Sequence, residues 1–390
     1  MPIKNRIAEM HDEITAWRRD FHENPEIMFE VHRTAGIVAE KLRAFGCDEV
    51  VEGIGITGVV GVIKGQNTKS GRVIALRADM DALPMSEITG LPYASKTPGA
   101  MHACGHDGHT AMLLGAAKYL TETRNFDGTV VLLFQPAEEG GAGGLKMVED
   151  GAMDRWNVQE VYGLHNYPGL PVGEFAIRPG PLMASADQFE IVVTGKGGHA
   201  AEPHQAIDTT LASAQIVVSL QSVVARNVQP IQPAVLSVTA LQTESDTFNV
   251  IPQTAHIRGT VRCFDPVTRD LVEARLRAVV EHTATAYGAS AAIDYQRGYP
   301  PTINNPEATQ HAINAASVVG VKVNPETAPV MPAEDFSYML EARPGAYIFL
   351  GNGDTPMCHH PAYDFTDDAA PFGVSYFVEL IEQRMPRQEG

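Results

Sequence analysis

Four apolar, strand-like runs in this chain lead into clusters of carboxylate, imidazole or thiol side chains. Arg72 to Ala78 runs into Asp79-Met80-Asp81, and Thr129 to Gln135 runs into Pro136-Ala137-Glu138-Glu139-Gly140. Glu160 to Leu164 is followed by His165-Asn166, and Ala346 to Leu350 is followed by Cys358-His359-His360-Pro361. In open α/β sheets, ligands bind outside the carboxyl ends of the strands. The pattern therefore predicts an α/β domain with a polar site along one edge of its sheet. The densest stretch, Met101 to His109, holds His102, Cys104, His106, Asp107 and His109. Imidazole, thiolate and carboxylate are the usual ligands of divalent transition metals. Gly105 and Gly108 free the backbone to turn, so that Cys104 and His106 can point into one pocket. The apolar run Thr110 to Leu120 predicts a helix starting near Asp107. Taken alone the stretch also reads as a polar loop with surface histidines, because it fits no standard zinc spacing.

The rest of the chain alternates in the same α/β manner before it changes. Ile3 to Asn24 has Ile7, Met10, Ile14 and Trp17 at helical spacing, with Pro25 as the stop. A second helix is expected over His32 to Phe45, ended by Gly46. From Asp187 the order becomes strand (Phe189 to Thr194), helix (Ile207 to Val224), strand (Ala234 to Leu241), strand (Thr254 to Cys263), helix (Val267 to Thr285), strand (Ala291 to Arg297). This is the βαββαβ order of a ferredoxin-like module. The first domain resumes at Pro300, so the expected organisation is a discontinuous catalytic domain, 1–183 and 296–390, with an inserted domain at 184–295. A chain of 390 residues is long enough for two cores.

Net charge is −18, from 29 basic and 47 acidic residues. With no basic surplus to neutralise phosphates, a nucleic-acid or anionic-membrane partner is disfavoured. The four cysteines are scattered without a disulfide-framework spacing. The opening residues show no secretory pattern and no apolar stretch reaches membrane-spanning length, so a cytoplasmic enzyme with reduced thiols is expected.

Beyond Cys104 and His106, the candidate ligands are Asp79, Asp81, Glu138, Glu139, His165, His359 and His360. One ion needs three or four protein ligands, so this set is large enough for two ions sharing a bridge. Two adjacent glutamates suggest a division of labour, one ligating and one moving protons.

The chain resembles the hippurate hydrolase, N-acyl-amino-acid amidohydrolase and indole-acetyl-amino-acid hydrolase branch of the dinuclear-metal aminoacylase/carboxypeptidase family. The residues that carry the resemblance span nearly the whole chain. They include Arg18-Arg19-Asp20-Phe21-His22-Glu23-Asn24-Pro25-Glu26, Leu76-Arg77-Ala78-Asp79-Met80-Asp81, Met101-His102-Ala103-Cys104-Gly105-His106-Asp107, Gln135-Pro136-Ala137-Glu138-Glu139, Gly197-Gly198-His199, Asn249-Val250-Ile251-Pro252 and Ala333-Glu334-Asp335-Phe336. The resemblance implies a metal-dependent aminopeptidase/carboxypeptidase-like catalytic domain, with the inserted domain acting as a lid or dimerisation module. It implies Cys104, His106, Glu139, His165 and His359 as metal ligands, the Cys104 thiolate able to bridge, and Glu138 as general base. Where the family has histidine, a small polar residue and proline, this chain has His359-His360-Pro361, so His360 competes with His359. Other branches carry a ligand histidine at the position of Arg77, so Asp79 is expected to orient a ligand rather than to bind metal. His199 matches the residue that stabilises the oxyanion, and Asn249 and Arg262 match those that hold the substrate carboxylate. Arg258, four residues before Arg262, would share its strand face and could substitute.

The implied reaction is hydrolysis of an N-acyl amino acid of the N-acetyl or N-benzoyl type, with two divalent ions (zinc, manganese, cobalt or nickel) as cofactor. A dipeptidase or carboxypeptidase with the same site is the rival. A catalytically dead binding protein on this fold is disfavoured, because Cys104, His106, Glu138, Glu139 and His165 are all present. Relatives include dimers joined through the small domain, so a homodimer or higher homo-oligomer through the inserted domain is an arrangement the resemblance allows.

Overall fold

The computed structural model describes residues 4–387, and the chain divides into two compact units. The first comprises Met1–Leu182, Ile303–Ala328 and Asp335–Gly390; the second comprises Met183–Thr302 and Pro329–Glu334. The second unit therefore reaches seven residues beyond the expected boundary at 295 and also takes in the short segment Pro329–Glu334. Ala184 N–H donates to the carbonyls of Val330 and Pro332, which ties that segment to the second unit.

The first unit is built on an eight-stranded mixed sheet. Its order is Glu49–Ile54, Gly58–Lys64, Thr129–Gln135, Val73–Asp79, Glu160–Tyr167, Gly345–Gly351, Glu174–Ala176, Lys322–Asn324. Thr129–Gln135, Val73–Asp79, Glu160–Tyr167 and Gly345–Gly351 run parallel to one another, so their carboxyl ends share one edge. These strands are near-continuous apolar runs such as Val130-Val131-Leu132-Leu133-Phe134, all fully buried, as expected for parallel strands covered on both faces.

Helix His106–Thr123 is buried from His106 through Ala117, so apolar residues surround it rather than forming a stripe. Its first turn is thus fixed inside the core, directly after Cys104 and Gly105. Ile7, Met10, Ile14 and Trp17 all face inward, but the expected single amphipathic helix breaks at Met10 into Asn5–Glu9 and His11–Glu23; Ile3 lies outside the described residues. Helix His32–Phe45 ends at Gly46 in the left-handed region, φ 87°. Strand Glu160–Tyr167 extends past the expected end at Leu164, because Phe349, Leu350 and Gly351 continue the parallel ladder opposite His165, Asn166 and Tyr167. His165 and Asn166 are therefore strand residues, not loop residues.

The second unit has a four-stranded antiparallel sheet in the order Ala234–Thr243, Thr254–Cys263, Asp187–Thr194, Ser290–Arg297. Helices Thr209–Asn227 and Pro266–Ala286 supply Ile216, Leu220, Leu276 and Val280 to a core with Phe189, Ile191, Ile257 and Val261. Asp208 and Asp265 cap these helices, accepting from Leu211 N–H at 3.0 Å and Thr268 N–H at 2.8 Å. Among the described residues, no helix is long and apolar enough to cross a membrane.

A buried ion pair holds the second unit together at the start of its sheet. The Arg269 guanidinium donates to both oxygens of Asp187 and to the Gly298 carbonyl, while Tyr295 hydroxyl and Gly298 N–H also donate to Asp187. Asp187→Ala should leave Arg269 charged and uncompensated, at a cost of about 3–5 kcal/mol. Chemical denaturation measures this; a loss under about 1 kcal/mol, the range of exposed pairs, would show that the pair is not effectively buried.

Candidate metal centre

The parallel strands deliver Asp79, Glu138, Glu139 and His165 to one edge of the sheet, and two loops complete the cluster there. Met101 and Leu83 exchange backbone hydrogen bonds at 3.0 Å, which seats the 101–105 loop beside Asp81. His359 N–H donates to Ala103 carbonyl at 2.7 Å, which brings the C-terminal histidine segment to the same loop. Ala137 (φ 53°) and His359 (φ 67°) adopt left-handed backbone conformations that non-glycine residues rarely hold. Such strain collects at functional sites, and these two residues position Glu138 and the last imidazole.

The donor atoms fall into overlapping groups whose members all lie within 4.8 Å of one another. Cys104, His106 and His165 form one such group; Cys104, Glu139 and His359 form another. Cys104 belongs to both. His106, Glu138 and Glu139 form a third group, which places the buried Glu138 carboxylate at the same centre. Cys104 Sγ lies 3.4 Å from His165 Nε2, and His359 Nε2 lies 3.3 Å from Glu139 Oε1. His360 is turned away from this role: its Nδ1 accepts from Ala362 N–H at 3.0 Å, and it joins none of these groups.

The hydrogen bonds sort the histidines by tautomer. His106 Nδ1 donates to the Asp81 carbonyl at 2.8 Å and His165 Nδ1 donates to the Asn166 carbonyl at 2.6 Å. In the neutral form each ring thus presents its Nε2 lone pair to the centre, the arrangement a ligating histidine needs. His109 is different: Nδ1 donates to Asp79 at 2.6 Å and Nε2 accepts from Asn166 N–H at 3.0 Å, so both nitrogens are used. Asp107 faces His22 Nδ1 at 2.8 Å, and that carboxylate outweighs the effect of burial to raise the His22 pKa to about 9. His102 is buried with no hydrogen-bond partner at either nitrogen, and burial lowers its pKa to about 3.

Asp79 and Asp81 are occupied by the protein itself. Asp79 accepts from Arg77 at 2.6 Å and from His109, with His106 Nε2 at 3.6 Å. Arg77 is also bonded to Gln135 at 2.9 Å and Asp335 at 3.0 Å, so it is a buried structural cation behind the centre. Asp81 accepts the consecutive N–H groups of Glu138 at 2.9 Å and Glu139 at 3.1 Å, fixing the main chain that presents the two glutamates.

This donor set fits divalent ions. His106 Nε2 is buried without a hydrogen-bond partner, and such an atom is costly unless something binds it. Burial opposes a charge on Glu139, yet His359 and His106 outweigh it and hold the pKa below the ordinary value. Burial also opposes a charge on His106, but Asp79, Asp81 and Glu139 raise its pKa well above the usual range, the mark of a pocket rich in negative charge. Cys358 and burial push the Cys104 thiol up, with the glutamates adding to the effect. A bound cation reverses that last shift, since coordinated thiols are deprotonated. The nitrogen, sulfur and oxygen mixture suits zinc and its first-row neighbours.

Three sequence candidates lie in the second unit. His199 pairs with Val250 in a two-stranded ribbon, and Ala200 N–H donates to Asn249 carbonyl at 3.0 Å. His199 and Asn249 line one hollow of about 450 Å³ together with Glu244 and Gln253. Arg262 lines a different hollow, with Arg258, on the sheet face opposite the helices.

A model of peptidase family M20/M25/M40 matches residues 75–383. The chain belongs to that family. It is 44% identical over 354 residues to thermostable carboxypeptidase 2 of Saccharolobus solfataricus, covering 90% of this chain and 88% of that one. It is 42% identical over 382 residues to hippurate hydrolase of Campylobacter jejuni, covering 97% and 98%. The crystal structure of a dinuclear metal-binding M20 peptidase from Bacillus subtilis aligns with a TM-score of 0.85 at 38% identity, covering 97% of this chain and 99% of that one. As an M20 enzyme, the protein is a metal-dependent amidohydrolase. The sequence did not single out Asn166, whose amide bonds the Cys104 carbonyl, or Tyr363, which bonds Asn166; the one signal was Asn166 following His165 at a strand end.

Proposed function

We propose that the protein hydrolyses the amide bond of N-acyl amino acids of the N-acetyl or N-benzoyl type, releasing a carboxylic acid and a free amino acid. The observation that carries the reading is Cys104 shared between two donor groups, with Glu138 beside both. Cys104, His106, Glu139, His165 and His359 would hold two divalent ions, of zinc, manganese, cobalt or nickel. Such ions supply an acidified water and polarise a carbonyl. Glu138, buried and grouped with His106 and Glu139, would take the proton of the attacking water and pass it to the leaving amine nitrogen.

Two features of the second unit support the remaining assignments. His199 Nδ1 accepts from Ala201 N–H at 3.1 Å, so in the neutral ring the proton sits on Nε2. His199 thereby presents an N–H donor, which is what a developing oxyanion requires. Arg262 is half-buried, its guanidinium donates to Val261 carbonyl at 3.1 Å and to Thr260, and among the described residues no carboxylate lies within ion-pair distance of it. A substrate carboxylate would supply that counter-charge through a two-pronged contact, with Asn249 as a second polar partner.

Identity to a thermostable carboxypeptidase favours a second reading, cleavage of a peptide bond at the same centre. A panel of N-acetyl and N-benzoyl amino acids against dipeptides, each with zinc, manganese, cobalt and nickel, decides between them. The proposal expects kcat/KM to be highest for acyl amino acids; a dipeptide preference overturns it.

A further inference from the structure

We propose that Asn166 is a positioning residue of the metal centre, holding Cys104 in place for its sulfur to be shared. The inference rests on the dinuclear reading above. Asn166 is 1% exposed, and every polar atom of its side chain has a partner. Its Nδ2 donates to Cys104 carbonyl at 2.6 Å and lies 3.1 Å from His109 Nε2. Its Oδ1 accepts from Tyr363 hydroxyl at 2.8 Å. Two acceptors on one side and a donor on the other fix which end of the amide is nitrogen.

The side chain thus grips the peptide that follows the cysteine. Gly105 has φ 90°, and a Cβ there would run into the Asn166 amide and the Tyr363 hydroxyl. The left-handed turn, the glycine and the amide form one device that sets where Sγ points. The same amide adds a second donor at His109 Nε2 beside the Asn166 main-chain N–H, and together they keep the proton on His109 Nδ1, bonded to Asp79. The main-chain carbonyl of Asn166 separately fixes the His165 tautomer. Side-chain substitutions therefore disturb the cysteine while leaving His165 anchored, a separation that a general structural role would not produce.

Asn166→Asp removes both donors and puts carboxylate oxygen against the Cys104 carbonyl and His109 Nε2. Tyr363→Phe keeps the donors but deletes the hydroxyl that locks the amide. The metal-free wild type and both variants are titrated with cobalt(II), reading calorimetric stoichiometry and the thiolate-to-cobalt charge-transfer absorption. The wild type should take two ions. Asn166→Asp should lose about 10–100-fold in affinity for at least one ion, the usual effect of removing a residue that orients a ligand. Its charge-transfer band should weaken or shift, and Tyr363→Phe should show a smaller change of the same kind. Wild-type affinity and an unaltered band in both variants overturn the proposal. If Asn166→Asp does not fold, Tyr363→Phe alone decides by the same criteria. A wild type that takes only one ion overturns the dinuclear reading itself, an outcome separate from failure of the Asn166 role.

Discussion

Glu138→Gln should retain two bound ions and near-normal KM while losing about 10²–10⁴-fold in kcat, the usual cost of removing a general base. The side chain is 6% exposed and grouped with His106 and Glu139 at the centre, so a nearly isosteric amide fits the same space. Its main chain is held by Asp81, which accepts the Glu138 N–H at 2.9 Å whichever side chain is present. What glutamine lacks is an oxygen basic enough to accept the proton of water. Steady-state kinetics with metal analysis on the same sample checks this. Near-wild-type turnover would reassign the base to Glu139, because both oxygens of Asp79 are already bound by Arg77 and His109.

His199→Ala should lower kcat by about 10²–10³-fold, the range found when one oxyanion donor is removed. Metal content should be unchanged, because every proposed ligand belongs to the other compact unit. His199→Gln, which keeps an N–H donor, should recover part of the loss. Arg262→Ala should act chiefly through KM, since a substrate carboxylate carries the same charge in the ground state and in the transition state. Kinetics of the three variants on one acyl amino acid separate these roles. Unchanged kcat in His199→Ala, or loss of an ion, would remove His199 from the reaction.

Much of the fold was legible because its signals are local. Val130-Val131-Leu132-Leu133-Phe134 reads as a buried parallel strand from composition alone, and strand Thr254–Cys263 has the expected bounds. Edge elements were not legible: Glu49–Ile54 has only Ile54 buried, so it lacks the alternation that marks a half-buried strand. Helix Gly143–Glu149 opens on two glycines, which suppress any helical signal. Within the centre, spacing suggested a rich donor set but could not sort it. His106 and His109 lie in the same first helical turn, yet one nitrogen of His106 remains unpartnered and none of His109 does. That difference depends on Asp79, Asp81 and Asn166, which come from two separate strands and the loop after one of them. Adjacent glutamates were similarly ambiguous: Asp81 binds both of their N–H groups, and only Glu139, 3.3 Å from His359 Nε2, shares a donor group with Cys104.

The proposed centre would hold two ions, with Cys104 a donor to both, and would act on N-acyl amino acids. Its most direct test is stepwise addition of cobalt(II) to metal-free protein, with hydrolysis of N-benzoylglycine and thiolate-to-cobalt absorption recorded at each step. The account predicts saturation at two ions per chain, sulfur absorption that continues to change as the second ion binds, and turnover that rises with occupancy. Saturation at one ion, or two ions bound with no sulfur signal, would contradict it.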